Sequence, residues 1–188
     1  MTLRTTMTDL ILKLRGMTDT SSADYSINSI SYWSDAHLQD VLDQVQMHVN
    51  FMQMEAIPSI GSSLAITYTR HETGLTDWEN APIIQDENGA TIADTNYTFD
   101  ANTGVVIFNT NTTGIGRYIT GYVYNVERAA SSVWTKKAAH AAKGFDFSTD
   151  NHSIKRSQVA EHYMDMSRFY DRIAGAKTIS IYRGDDVV

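Results

Sequence analysis

A chain of 188 residues with a formal net charge of -7 and no cysteine excludes disulfides, thiolate metal sites and thiol nucleophiles. Its acidity argues against a nucleic-acid binder that grips phosphates through clustered Lys and Arg. A hydrophobic content of 42% against 20% charged residues is ordinary for a folded protein, so one compact domain with a sizeable core is expected.

No apolar run approaches the length that spans a bilayer, and Met1 to Arg15 mixes charges into its hydrophobic residues without a cleavage-like segment. The expectation is a soluble protein with no membrane partner, made in a reducing cytoplasm. Leu3, Met7, Leu10, Ile11 and Leu14 share one helical face, and Gly16 is placed to end that first helix. The polar stretch Met17 to Ser31 reads as a loop. Ser34 then has the character of an N-cap and Asp35 suits a first helical turn. Leu38, Val41, Leu42, Val45, Val49 and Met52 mark the buried face of a second helix that ends before Pro58.

From Ser63 to Val126 the texture changes to Thr, Tyr, Val, Ile and Gly with regularly spaced turn signals, which predicts four to six short antiparallel strands. Asn88-Gly89 between Pro82–Gln85 and Thr91-Ile92 is a strong hairpin signal, because both residues tolerate positive φ. Asp100 to Gly104 separates Tyr97–Phe99 from Val105–Phe108, and Tyr118, Thr120, Tyr122 and Tyr124 alternate with Ile119, Gly121 and Val123 in a last, longer strand.

The stretch Ala129 to Ala174 reads as two amphipathic helices joined by the polar segment Gly144 to Ser153. Val133, Trp134, Lys137, Ala138, Ala141 and Ala142 follow a helical period in the first. Val159, Tyr163, Met166, Phe169, Tyr170 and Ile173 do so in the second, with Glu161, Asp165, Arg168 and Asp171 mostly opposite. Trp134, Phe145, Phe147, Tyr163, Phe169 and Tyr170 are the expected anchors of this helix pair. After Gly175, Thr178 to Tyr182 alternates like a strand without a sequence partner, so it either joins the chain's own sheet or adds to another chain's, the neighbour being favoured if the chain assembles into a ring.

The candidate chemistry is sparse. The six histidines lack metal-ligand spacing, and His71-Glu72 lacks the second His of a zinc protease motif. Gly114-Ile115-Gly116 precedes strand-like residues where a phosphate loop needs a helix. Asp86 to Gly89 lacks the alternating ligands and distal Glu of a calcium loop. No Ser sits in an elbow motif. The expectation is therefore no enzyme, no cofactor and no metal. Trp33 and Trp134 read as core or inter-helix anchors, whereas Trp78, set in Thr76-Asp77-Trp78-Glu79-Asn80, is the better candidate for a partner contact, with the core as the default place for any one of the three.

The run Ala138 to Asp150, followed by Lys155-Arg156-Ser157-Gln158 and a helix ending near Phe169-Tyr170-Asp171-Arg172, resembles the C-terminal helices of head-to-tail adaptor (connector) proteins of tailed bacteriophages. Tyr32-Trp33-Ser34-Asp35 leading into Leu38 to Asp43 resembles that family's second helix, and Tyr97 to Phe108 its inserted hairpin. The resemblance implies an α+β fold: a bundle of about four helices with an antiparallel β insertion between helices two and three and an extended C-terminal tail. On that pattern residues 1-188 form a single adaptor domain, with helical parts 1-60 and 127-175, the insertion 61-126 and the arm 176-188. It implies a structural virion protein at the neck: a dodecameric ring below the portal protein that meets the next tail or neck protein, with genomic DNA passing through unbound. Lys177, Ile179, Ile181, Tyr182, Arg183, Val187 and Val188 would contact the portal or a neighbouring subunit, and Trp78 the tail side. From the residues alone the alternative is a carbohydrate- or ligand-binding β module on a helical base, using Trp78 and the tyrosines as stacking surfaces.

Overall fold

The computed structural model describes residues 3–21, 25–27, 30–60, 64–143, 147–149, 152–154 and 156–175. In chain order they form α1 (Thr8–Thr18), β1 (Tyr25–Ile27), β2 (Ile30–Tyr32), α2 (Asp35–Asp43), β3 (Gln46–Ile60), β4 (Ile66–Glu72), β5 (Ile83–Gln85), β6 (Tyr97–Asp100), β7 (Val105–Phe108), β8 (Arg117–Tyr124), α3 (Val126–Ala141), β9 (Phe147–Thr149), β10 (His152–Ile154) and α4 (Arg156–Ile173). The chain divides into two compact units, a helical one built from Met1–Met47 and Tyr124–Gly175 and a sheet unit containing His48–Val123.

In the helical unit the period read from the sequence places Met7, Leu10, Ile11 and Leu14 against Leu38, Val41 and Leu42 of α2 and Val126, Ala129, Ala130 and Val133 of α3, with Trp33 and Tyr124 completing the core. Ser34 caps α2, its hydroxyl accepting from the His37 amide. The Asn125 side chain caps α3 through the Arg128 amide at 2.9 Å and donates to the Ala174 carbonyl at 3.0 Å, tying the end of α4 to the start of α3. Trp134 and Tyr163 rings lie 5.3 Å apart, and the Ser167 hydroxyl meets those of Ser131 and Thr135 at 3.1 and 2.8 Å. Residue numbers rise on one helix as they fall on the other, so α3 and α4 are antiparallel.

In the sheet unit six antiparallel strands run in the order β5-β8-β3-β4-β7-β6 and curl into a half-barrel. This corrects the expected architecture: a helical bundle with an inserted hairpin does not describe the chain, because the sheet dominates its middle. The largest departure is the second helix, which stops at Asp43 and gives way to the fifteen-residue strand β3. Val45, Val49 and Met52 stand at helical steps, but their neighbourhood satisfies a strand as well. Phe51 adopts φ 46°, inserting the half-turn that lets Val49 and Met54, an odd number of residues apart, both point into the core. Pro58, expected to follow a helix end, falls inside β3, where the pairing with β4 shifts register between Ile57 and Ser59. A residue without an N–H is tolerated at such an irregularity.

Smaller corrections follow from local chemistry. Gly16 lies within α1, which ends two residues later with Asp19 in the left-handed conformation at φ 47°. The loop expected from Met17 to Ser31 holds the hairpin β1–β2, with Tyr25 opposite Tyr32, and the segment between α3 and α4 holds the pair β9–β10.

The core of the sheet unit is centred on Trp78, which is 1% exposed and packs with Leu75, Ile84, Val106, Phe108, Ile119 and Val123. Its Nε1 donates to the Leu75 carbonyl at 3.2 Å and to Thr73 Oγ1 at 3.3 Å, and its amide donates to the Ala101 carbonyl at 2.9 Å. The β6–β7 turn closes over it. Gly104 sits there at φ 69°, and a Cβ at that position would collide with the Leu75 carbonyl oxygen and the Thr73 hydroxyl. Gly104→Ala is therefore expected to destabilise the protein by about 2–4 kcal/mol, combining left-handed strain with displacement of the Trp78 acceptors. Urea denaturation monitored by tryptophan fluorescence measures it, and a loss below about 0.5 kcal/mol would contradict this packing.

Candidate functional site

The strongest perturbation of a titratable group is at His71 on β4. Its side chain is fully buried, with its ring edge-on to Phe108 at 5.1 Å. Thr112 Oγ1 donates to the Tyr68 carbonyl at 2.6 Å, so it accepts at His71 Nε2, 2.9 Å away, and Nε2 carries the proton. Nδ1 is left as a buried acceptor without a partner among the described residues. Burial, and secondarily the Arg117 guanidinium, push the imidazole down to about 4. The one hydroxyl described beside it, Thr112 Oγ1, has its proton committed to the Tyr68 carbonyl and is not turned to give it to the imidazole. The imidazole is thus held neutral by its surroundings.

Three surface features stand out. The first is on α4: Val159, Phe169 and Ile173 are exposed, and the adjacent stripe of Tyr163, Ser167, Tyr170 and Ala174 is turned toward the helical core. The second is a cleft of about 450 Å³ between α2 and α3, walled by His37, Asp40 and Gln44 on one side and Lys136, His140 and Lys143 on the other, with Trp33 among its lining residues. These residues recur at helical steps of three and four on each helix, so each wall is a single helix face. Tyr32 stacks on His37 at 5.1 Å and 6°. The third is an aromatic row on the sheet, where Phe51 stacks on Tyr118 at 4.2 Å and 2°, and His48 lies against Tyr122 at 4.9 Å. Phe51 and Tyr122 are exposed. Reading Gln46 to Met52 as helix hid this row; the alternation of Tyr118, Thr120 and Tyr122 was the one signal for it.

Of the residues expected to anchor the helix pair, Trp134 is buried, its Nε1 donating to the Met17 carbonyl at 3.2 Å, and Tyr163 and Tyr170 are half-buried. Phe169 is 45% exposed and is not an anchor. Its ring meets only the neighbouring Tyr170 among the aromatic pairs described. Phe145 lies outside the described residues, as does the side chain of Phe147, whose backbone forms β9. Lys177, Ile179, Ile181, Tyr182, Arg183, Val187 and Val188 also lie outside them. Trp78, expected at a partner contact, is instead the buried centre of the sheet unit, since its polar neighbours belong to a tight loop that turns the indole inward. Among the described residues no group of three or more His, Asp or Glu is arranged to hold a metal ion, and no helix is long and apolar enough to cross a membrane.

Because the folded protein keeps His71 neutral down to about pH 4 while the unfolded chain protonates near 6.5, its contribution is full above pH 6.5 and is lost as pH falls toward 4. The loss amounts to roughly 3 kcal/mol by proton linkage. Urea melts of the wild type and His71→Gln between pH 7 and pH 4 check this: the variant is expected to show a shallower decline, and identical slopes would contradict it. The chain matches no family model, no curated protein and no solved structure.

Proposed function

We propose that the chain is a structural virion protein, a head-to-tail adaptor that forms a ring below the portal, joins the capsid to the tail and lines the channel for DNA. The observation that carries this reading is the α3–α4 pair. It coincides with the stretch most similar to adaptor helices, packs firmly on its inner side, and turns Val159, Phe169 and Ile173 to solvent. Exposed apolar stripes beside a well-packed core mark association surfaces. The net charge of -7 suits a wall past which DNA slides, since like-charge repulsion keeps the phosphate backbone from adhering. In this reading the work is geometric. Subunits meet through heterologous contacts that close into a dodecamer, the segment from Lys177 to Val188 reaches a neighbour or the portal, and the sheet unit is turned toward the next tail or neck protein. The protein is made in the host cytoplasm and resides in the particle.

The aromatic row Phe51–Tyr118 and His48–Tyr122 favours a second reading, a ligand-binding β module that stacks sugars. Trp78 contributes nothing to it, being buried.

An electron cryo-microscopy map of the particle neck discriminates between them. The adaptor reading expects a closed ring of this chain between the portal and the tail. Particles whose neck lacks it, together with glycan binding by the free protein that Tyr122→Ala weakens about ten-fold or more, would replace the first reading with the second.

A further inference from the structure

α4 carries two apolar seams. Tyr163, Ser167, Tyr170 and Ala174 face α3 or the helical core. Val159, His162, Met166, Phe169 and Ile173 recur at steps of three, four, three and four, the spacing of a coiled-coil seam. Most of this second stripe is solvent-facing: Val159 is 41% exposed, Phe169 45% and Ile173 52%, with Met166 between them half-buried. An isolated exposed apolar residue needs no explanation, but a heptad-spaced row along an eighteen-residue helix does.

We propose that this seam pairs with the same seam of a second copy, antiparallel, as the resting form of the free chain. Charge complementarity identifies the occupant and the register. Asp165, whose carboxylate lies 3.1 Å from Arg168 of its own helix in an exposed pair that can exchange partners, and Arg172, seven residues further along α4, flank the seam on the side away from Tyr163 and Tyr170. With Met166 packed opposite Phe169 of the second copy, Asp165 on each helix lies beside Arg172 on the other, giving two symmetry-related attractive pairs. Sliding the helices by one heptad sets His162 opposite Met166 and brings the two Asp165 carboxylates together, so that register is disfavoured. In the favoured register His162 of each copy meets Ile173 of the other, so the two outer layers of four carry a polar member and the two inner layers, Met166 with Phe169, are apolar. A polar residue at such a position fixes register at some cost in strength.

The seam is short, so pairing is expected at protein concentrations on the order of 10–100 µM, below the strength of a standard interface. An isologous contact closes on itself and cannot grow into a ring. The pair therefore belongs to the free protein and opens before any heterologous assembly; it rests on α4 alone and not on the adaptor reading.

Sedimentation velocity on the full chain tests it. The wild type is expected to show a concentration-dependent monomer–dimer equilibrium. Asp165→Arg and Arg172→Asp should each weaken dimerisation about ten-fold, and the double variant should return it to within about two-fold of the wild type. Because the chain has no cysteine, Met166→Cys and Phe169→Cys chains can be mixed and oxidised, and a disulfide-linked heterodimer is expected. Asp171→Cys, on the opposite side of the helix, should give none. A wild type that stays monomeric to 1 mM (about ten times the expected range), or a dimer indifferent to both charge reversals, overturns the proposal. So does a monomeric free chain whose Phe169→Asp variant fails to join particles, which would assign the seam to a contact of the assembly and not to a resting pair. A monomeric chain found at the neck leaves the ring standing, and a dimer absent from particles leaves the pair standing, so the two readings fail separately.

Discussion

The helical unit depends on how one buried ammonium is satisfied. Lys137 is 8% exposed and sits near the C-terminal turn of α3, where an unpaired buried charge would cost several kcal/mol. Its Nζ donates to the carbonyls of Thr18 and Asp19 at 2.9 and 2.8 Å and lies 5.0 Å above the Trp134 ring. The end of α1 is where orphan carbonyls accumulate and where the helix dipole is negative, so a cation there is favoured twice over. The same bond fixes the depth at which α1 meets α3. The small residues Ala129, Ala130 and Ser131 then allow close approach of the helices, and Trp134, held by the Met17 carbonyl, fills the gap beside α4. With its inner stripe committed to α3, α4 has its other stripe left over. The surface available for association is thus a consequence of the internal packing.

The sheet unit solves a different problem. Its strands are short except β3, β4 and β8, and its core is assembled from loops as much as from strands. Asp100 accepts from the Asn102 amide and the Thr103 hydroxyl, and the Thr103 bond first of all holds its carboxyl below the ordinary range. That turn places Gly104 under the Trp78 indole, while the Asp86 carboxylate builds the neighbouring turn by accepting from the amides of Asn88 and Ala90 at 2.9 Å. Gly89 completes it at φ 79°. Turn chemistry, more than strand propensity, gives this unit its shape.

That division explains what could be read beforehand. Strong local signals survived: the Ser34 cap, the helical face from Met7 to Leu14, the Asn88-Gly89 turn, the turn between β6 and β7, and the α3 face from Val133 to Ala138 all lie where their residues dictate, whereas Val159, Phe169 and Ile173 of the expected α4 face are exposed. Failures came where one pattern served two structures. Val45, Val49 and Met52 fit a helix, and only the left-handed Phe51, invisible in a residue code, converts the stretch to a strand. Trp78 was misjudged for a related reason, since polar neighbours describe the rim of a loop and not the direction of its indole. Phe169 had the right period for the helix-pair face but belongs to the adjacent stripe, because α4 presents an apolar arc wider than one partner covers.

The central claim is that α3, through Lys137 and its small-residue face, is the element on which the other helices rest. Native-state hydrogen exchange on the full chain tests this directly. The amides from Ala129 to Ala138 should exchange most slowly in the helical unit, and Lys137→Met should accelerate them together with those of the last turn of α1. Faster exchange in α3 than in α4, or an α1 terminus untouched by the substitution, would contradict it.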